Sequence, residues 1–501
     1  MARRLNFLAI DLGAESGRTI LGQFDGSRLE LSESHRFPNG PVRVPYHSNR
    51  YSLHWDILRL WNEIKEGIAR VTRKQEIELA GIGIDTWAVD YGLLDRKGTL
   101  VSNPFNYRDA RTEGMLEEAF RRMPRERIFE LTGIQFMPIN TLFQLLSQVV
   151  NRSPELEIAE TFLTIPDLLN YWLTGRVVCE FTNATTTQCY DPNQGTWADP
   201  LLEAMGIPRR IFPEVIQPAT LLGPLSPLVA EEVGISANVI APACHDTGSA
   251  VAAVPAEGEN FAWVSSGTWS VVGTNLPKPM INDASLKYNF TNEGGVGGTF
   301  RFSKNVMGLW LVQECRRTWA TQGQEHSYSE LTAMATRAEP LVSIIDPDYT
   351  EFLPPGDMPA RVREYCRQTG QPIPDDKGAM IRCLLEGIAL KYRLVLERLE
   401  SMIGRRLEPI HIVGGGTQNQ LLSQFTADAT GRHVVTGPVE ATATGNILMQ
   451  AVALGHIGGS GECQQVLRNS FELSNFEPGD KAHWDEAYQK LLAVMAQTTG
   501  Q

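Results

Sequence analysis

No Gly-Lys dipeptide occurs anywhere in the 501 residues, so a phosphate loop of the form G-x-x-x-x-G-K-[S/T] is excluded. No Cys-x-x-Cys pair occurs either. The seven cysteines, scattered from Cys179 to Cys463, are odd in number and lack ligand spacing. They read as small apolar side chains in a reducing compartment rather than as a disulfide frame or zinc site. No stretch approaches the roughly 18 uninterrupted apolar residues of a membrane span. The apolar run in the opening MARRLNFLAID stops at Asp11, short of a signal core of about 7 to 15 residues. Positive charge is also scarce: 45 Lys plus Arg against 58 Asp plus Glu leave a net charge of −13, which disfavours nucleic acid and anionic membrane as partners. The expectation is a cytoplasmic protein that takes a neutral or metal-chelated small ligand. Enzyme, ATP-driven machine and binding protein all stay open on composition.

At about 100 to 200 residues per domain, the length calls for two large domains. Residues 7–24, FLAIDLGAESGRTILGQF, read as strand, Gly- and Ser-bearing turn and second strand, a hairpin. DILRLWNEIKEGIARVTRK spaces Ile57, Leu60, Trp61, Ile64, Ile68 and Val71 as one helical face behind an Asp56 cap. Strand pieces then flank Asp85, Thr86 and Trp87. NVIAPACHDTGSAVAAV (238–254) is a strand running into a helix start, and NFAWVSSGTWSVVGTNL (260–276) is a second hairpin like the first in character. The boundary falls between them, near 255–260, where Pro, Gly and charge interrupt the apolar pattern. Residues 303–320 read as a helix capped by Ser303, and 380–404 as a long helix ending at Gly404. PIHIVGGGTQNQLLSQFTADATGRHVVTG (409–437) is strand, triple-Gly turn, helix, strand. The class is α/β, with domains at 1–255 and 256–460 and a helical C-terminal extension over 461–501.

Several stretches are able to carry chemistry, and each also has a plain structural reading. The loop Leu12–Arg18 follows Asp11 at a strand end. Its N–H groups, Ser16 and Arg18 suit phosphate, and Asp11 suits a metal ion held through water. As a hairpin turn with a capping Asp it would look the same, and Ser265–Thr268 shares the ambiguity. Asp246, in His245-Asp246-Thr247, stands where a strand hands over to a helix. A carboxylate there can take a proton from a hydroxyl while the helix N-terminus faces a phosphoryl group, or it can simply cap the helix. Gly414-Gly415-Gly416 admits close approach of a flat ligand to backbone. As a dinucleotide fingerprint it fails at Asn419 and lacks an acidic ribose partner, and a tight turn is the alternative. Cys244 reads as packing, Trp87 as core, and Tyr107–Thr112 as either a polyol contact or a solvated ion-pair network.

In their order these stretches resemble the FGGY carbohydrate kinases of the sugar kinase, actin and heat-shock ATPase superfamily. The resemblance is carried by AIDLGAESGR (9–18), GIDTWAVDYGLLD (83–95), YRDART (107–112), TGIQFMPINTLFQL (132–145) and EFTNATTTQ (180–188). It continues through CHDTGSAV (244–251), SSGTWS (265–270), TNEGG (291–295), KNVMGLWLVQE (304–314) and HIVGGGTQN (411–419). It implies two ribonuclease H-like domains hinged around a central cleft and an ATP-dependent sugar kinase with Mg²⁺. Position by position, it implies Asp246 as the general base for the sugar's 1-hydroxyl, with Ala88, His245 and Thr247 contacting the sugar. ATP falls to Ala14, Glu15, Ser16, Gly17, Arg18, Thr268, Asn305, Gln313 and Gly415, and Mg²⁺ to Asp11 through water. Two residues depart from the family pattern. Glu15 stands where a small hydroxyl residue is usual, so its carboxylate is expected to point outward. Ala88 replaces a common Gly and is expected to narrow or re-aim the sugar site. A partner-driving ATPase and an NAD-dependent oxidoreductase are the competing classes, and the HDT and TNATTTQ segments argue against the former.

Overall fold

The computed structural model describes residues 4–46, 49–75, 77–479 and 481–498. Packing divides the chain into two compact units that are not contiguous in sequence. The first comprises Met1–Pro255, Asn275–Phe302 and Ala441–Ser470, and the second Ala256–Thr274, Ser303–Glu440 and Phe471–Gln501.

The first unit is built on six strands: β1 (Leu5–Leu12), β2 (Ser16–Phe24), β3 (Leu29–Pro38), β4 (Gly81–Thr86), β5 (Thr220–Pro224) and β6 (Asn238–Ala241), in the order β5-β6-β4-β1-β2-β3. β1 pairs antiparallel with β2 and parallel with β4, and β4 pairs parallel with β6. Phe7–Leu12 of the central β1 is buried throughout, as a strand covered on both faces must be. The register sets Asp11 opposite Arg18 on one side and Asp85 on the other. The carboxyl ends of β1, β4 and β6 therefore share one edge of the sheet, the usual ligand edge of such sheets.

The second sheet adds β7 (Ala262–Ser266), β8 (Trp269–Leu276), β9 (Thr291–Gly294), β10 (Phe300–Met307), β11 (Ile410–Val413), β12 (Val434–Thr436) and β13 (Ser474–Phe476), in the order β9-β10-β8-β7-β11-β12-β13. Its hairpin β7–β8 is antiparallel, and β7, β11 and β12 run parallel. Strand for strand, β8-β7-β11-β12-β13 repeats the order and directions of β2-β1-β4-β6-β5, including an antiparallel outer strand. The likeness of the two opening hairpins thus extends to five strands of each sheet.

The helices that position the functional residues are α1 (Ile57–Gln75), α2 (Asp246–Ala252), α3 (Trp310–Thr321), α4 (Lys377–Ile403), α5 (Gln420–Thr430) and α6 (Ala441–Ala453). Asp56 accepts from Arg59 N at 3.2 Å and caps α1. Gly404 closes α4 with φ 72°, a left-handed turn that glycine adopts without strain. The helix expected over 303–320 is shorter than its apolar spacing implied. Residues 300–307 are strand β10, the Ser303 side chain is buried rather than capping, and α3 starts at Trp310. Gly308 makes the corner, because a Cβ there would lie 2.8 Å from Gly267 O. Val306 and Met307 are buried from the strand, where a helical face would also bury them. The C-terminal stretch forms helices Ser460–Ser470 and Lys481–Thr498 with β13 between them. Among the described residues no helix is long and apolar enough to cross a membrane.

His411 on β11 is buried, and neither ring nitrogen has a hydrogen-bond partner. Burial, then His433, pushes its pKa down from 6.5 to about 4. The folded state refuses a proton that the unfolded chain accepts, so stability is unaffected above the unfolded pKa of 6.5. It falls as pH drops from there to about 4, by roughly 3 kcal/mol in all. His411→Leu is expected to remove that acid-side loss, read as a flatter urea midpoint between pH 6.5 and 4.

Candidate active site

The ligand edge of the first sheet gathers three carboxylates and one arginine. Arg18 Nη2 lies 2.5 Å from Asp11 Oδ2. Asp85 is fully buried: Asn446 Nδ2 donates to its Oδ2 at 2.6 Å, and its Oδ1 has no partner. Burial, reinforced by the charges of Asp11 and Asp246, pushes the Asp85 pKa well above the usual carboxylate range. Asp246 opens α2, and its Oδ1 accepts from Thr247 N at 2.5 Å and from Thr247 Oγ1 at 3.2 Å. His245 Nε2 lies 3.3 Å from the same oxygen. The Asp246 pKa is raised, chiefly by burial with Asp11 adding, while the His245 side chain works in the opposite direction. A carboxylate displaced toward neutrality is a better proton acceptor than an exposed one.

The structure explains why Asp246 stands there. β6 delivers the chain to Cys244, whose carbonyl accepts from Thr86 N at 2.9 Å. Glu180 Oε2 takes Cys244 N at 3.0 Å, and Thr182 Oγ1 takes His245 N at 3.1 Å. Burial lifts the Glu180 pKa to about 7 and that of neighbouring Asp167 to about 8. The EFTNATTTQ segment is thus the brace under His245 and Asp246. On the ring's other side, Arg301 and Glu293 approach His245 Nδ1 at 2.9 and 3.4 Å.

The loop at 13–18 is a tight hairpin turn. Gly13 N donates to Ser16 O at 2.9 Å, and Asn39 N donates to Glu15 O at 2.9 Å, with the Glu15 side chain exposed. Gly17 has a packing reason, since a Cβ would stand 2.2 Å from the Phe37 ring. Ala88 is half-buried between Trp87 and Val89. Val89 holds φ 67°, a conformation that is strained for a β-branched residue. Thr141 Oγ1 and Gln144 Nε2 pin its carbonyl at 2.6 and 3.2 Å. Next to it Asp90 accepts from Trp55 Nε1, Trp87 Nε1, Tyr107 N and Gln144 Nε2 at 2.6 to 3.1 Å, and burial raises its pKa to about 6. Trp87 stacks on Trp55 with ring centroids 4.0 Å apart. In the Tyr107–Thr112 run, Tyr107, Asp109 and Thr112 are buried, Arg111 is half-buried, and Arg108 and Ala110 are exposed. Asp109 accepts from Leu53 N, and the Arg111 guanidinium sits 3.9 Å over Phe105 with Nε and Nη1 unpartnered.

In the second unit, Gln313 Nε2 donates to Thr268 Oγ1 at 3.2 Å, while Gln313 Oε1 is buried without a partner. The start of α3 closes on the same turn, with Leu309 N to Gly267 O at 3.0 Å and Trp310 N to Thr268 O at 3.1 Å. Asn305 is half-buried on β10. The three glycines at 414–416 serve different ends. Gly414 adopts φ 88°, and a Cβ on Gly416 would strike Ser266 Oγ at 2.0 Å. Around Gly415 there is open space. The first unit thus brings together Asp11, Arg18, His245, Asp246 and Thr247, and the second brings together Thr268, Gln313 and the Gly415 turn.

Asp85, Asp90, Glu180, Glu293, Arg301 and Asn446 were not singled out from sequence. Four of them are acidic residues inside apolar or small-residue stretches, where a carboxylate without a local partner is itself a signal. Arg301 and Asn446 carry no such mark.

Two sheets of matching topology, each ending in a polar turn, with a carboxylate at a helix N-terminus, have the make-up of a phosphoryl-transfer enzyme. Models of the FGGY family of carbohydrate kinases match residues 6–253 with the N-terminal domain and 262–454 with the C-terminal domain, and the chain belongs to that family. It is an enzyme that phosphorylates a sugar with ATP as co-substrate. A rhamnulokinase of Bacteroides thetaiotaomicron is 45% identical over 484 residues, covering 96% of this chain and 98% of the relative. One from Oceanobacillus iheyensis is 40% identical over 470 residues, covering 94% and 97%. Among solved structures, a ligand-bound xylulose kinase from Lactobacillus acidophilus superposes with TM-score 0.81 at 17% identity over 99% of this chain and 98% of that one. A Plasmodium falciparum glycerol kinase with ADP gives 0.75 at 18% over the same shares. At those identities the two structures speak for the fold alone.

Proposed function

We propose that this chain transfers the γ-phosphoryl group of ATP to the 1-hydroxyl of L-rhamnulose, giving L-rhamnulose 1-phosphate and ADP in cytoplasmic L-rhamnose degradation. The names of the relatives at 45% and 40% identity support the substrate. The chemistry rests on one observation: Asp246 is fixed at the start of α2, with Oδ1 held by Thr247, His245 Nε2 3.3 Å from it, and its pKa raised.

Asp246 Oδ2 accepts the proton of the sugar's 1-hydroxyl as that oxygen attacks the γ-phosphorus, and the bond to the β-phosphate oxygen breaks to release ADP. Ala88, His245 and Thr247 orient the sugar, which is held largely by residues 1–255. Ala14–Arg18, Thr268, Asn305, Gln313 and Gly415 take ATP, the last four from the portion 256–460. Gln313 Oε1, buried and unpartnered, suits a nucleotide donor group, and the space at Gly415 leaves room for a flat ring. Among the described residues no cluster of three or more His, Cys, Asp or Glu forms a metal cage. Mg²⁺ keeps most of its waters and leans on one or two carboxylates and the phosphates. Asp11 would hold it through water. When bound, it neutralises charge on the transferring group.

A coupled ADP-release assay over rhamnulose, fuculose, xylulose, ribulose and glycerol tests the substrate. The expected result is the highest kcat/KM with rhamnulose. Robust turnover of another acceptor and none of rhamnulose overturns the substrate while leaving a sugar kinase.

A further inference from the structure

The TNEGG segment and the start of β10 pack inside the first unit, and nothing so far gives them a chemical role. Gly294 N donates to Thr185 Oγ1 at 2.7 Å, and a Cβ on Gly294 would lie 2.6 Å from the Phe181 ring, so the segment is fitted closely against the Glu180 brace. Two side chains from it, Glu293 and Arg301, are 7% and 1% exposed. Arg301 Nη2 lies 2.9 Å from His245 Nδ1 and 3.1 Å from Glu293 Oε2, and Arg301 Nε donates to Gly294 O at 2.8 Å. Against the upward push of burial, the Arg301 charge holds the Glu293 carboxyl below its ordinary range.

A guanidinium carries hydrogen on every nitrogen and offers no acceptor. At 2.9 Å from Arg301, His245 Nδ1 must therefore be bare and accept. The hydrogen of the neutral ring then sits on Nε2, 3.3 Å from Asp246 Oδ1. The opposite tautomer would press N–H against N–H at Nδ1 and turn a lone pair toward a carboxylate at Nε2. Glu293 Oε2, at 3.4 Å, would favour it, but that oxygen already receives Arg301. The charged groups facing the ring are Arg301, Glu293 and Asp246, with Glu180 behind the backbone.

We propose that Arg301, held by Glu293, is a positioning residue for phosphoryl transfer: it fixes His245 as the Nε2–H tautomer, so that the imidazole turns its N–H toward Asp246 Oδ1, 3.3 Å away, and cannot itself take the sugar's proton. This rests on the reading of Asp246 as the base. Asp246 Oδ1 is then held by Thr247 and faced by His245, and Oδ2 alone faces the hydroxyl.

The test is nitrogen NMR of the full chain labelled with ¹⁵N-histidine, with the His245 signals assigned by their loss in His245→Gln. The wild type is expected to show a bare Nδ1 and a hydrogen-bearing Nε2. In Arg301→Gln, with Glu293 left in place, the hydrogen is expected to move to Nδ1. The same variant should lose about 10- to 100-fold in kcat, the range for a hydrogen bond to a charged group, with KM for ATP unchanged. Arg301→Lys, which keeps a cationic donor, should restore the wild-type tautomer and part of the rate. A wild-type spectrum with hydrogen on Nδ1 overturns the proposal, as does an Arg301→Gln protein with unaltered tautomer and kcat. If Arg301→Gln does not fold, the wild-type and Arg301→Lys spectra decide. The tautomer is read without sugar, so failure of the rhamnulose assignment, or activity surviving in Asp246→Asn, would defeat the functional reading separately.

Discussion

Asp246→Asn is expected to lower kcat by about 10²- to 10⁴-fold, the span usually lost with a general base, while ATP binding and the fold persist. The amide keeps an oxygen for Thr247 N, which is 2.5 Å from Asp246 Oδ1 in the native site. It cannot accept the sugar's proton. Stability should move the other way. Asp246 raises the pKa of Asp85, and Asp11 raises that of Asp246, so the native site holds carboxylates that repel one another. A group whose folded pKa lies above its unfolded value loses stability as pH rises through the folded pKa. Removing the Asp246 charge should therefore raise Tm at neutral pH and leave it unchanged well below the ordinary carboxylate pKa. Kinetics with saturating sugar and a melting series across pH check both halves. A variant that keeps most of its kcat defeats the role of Asp246 as base, and one that loses kcat and Tm together marks it as structural.

What the sequence disclosed follows from how locally each feature is determined. The β1–β2 hairpin needs only an apolar run, a glycine turn and a second run. The α4 stop at Gly404 needs only one residue able to take a left-handed turn. Asp246 was legible because a strand handing over to a helix can be read within a few residues. The 303–320 segment misled because Ser303, Val306 and Met307 fall at a helical spacing although Phe300–Met307 is strand. Its place between two strands of the second sheet holds it extended, and Gly308, passing close to Gly267, marks where it ends. Arg301 reaches His245 across 56 positions and Asn446 reaches Asp85 across 361. No local pattern encodes such partners. They exist because the segments 275–302 and 441–470 return to the first unit.

Gly445→Ala offers the sharpest test of that return. By helix propensity alone the change should stabilise α6 by up to about 1 kcal/mol. The crossing of α6 and α2 predicts the reverse. A Cβ at 445 would stand 1.8 Å from Ser249 O, 2.7 Å from its carbonyl carbon and 3.2 Å from its Cα. These are backbone atoms and cannot rotate aside, so the helices must separate, at a cost of about 1 to 3 kcal/mol or more. The displacement cannot stay local on either helix. On α2, Ser249 N bonds His245 O at 3.0 Å and Ser249 Oγ bonds Ala243 O at 2.7 Å, so moving Ser249 moves the turn that carries Asp246. On α6, the next residue, Asn446, donates to Asp85 Oδ2 and Gly83 O, and Gln450 Nε2 donates to Leu8 O at 3.1 Å. Those bonds hold α6 against strands β4 and β1, where Gly83 leaves the space that a Cβ would take from Asn446 Oδ1 at 2.4 Å. Gly445→Ala should therefore lower the urea midpoint and reduce kcat, with a larger loss of both in Gly445→Val. A rise in stability for Gly445→Ala would show that propensity governs the site and that α6 does not hold Asp246 in place.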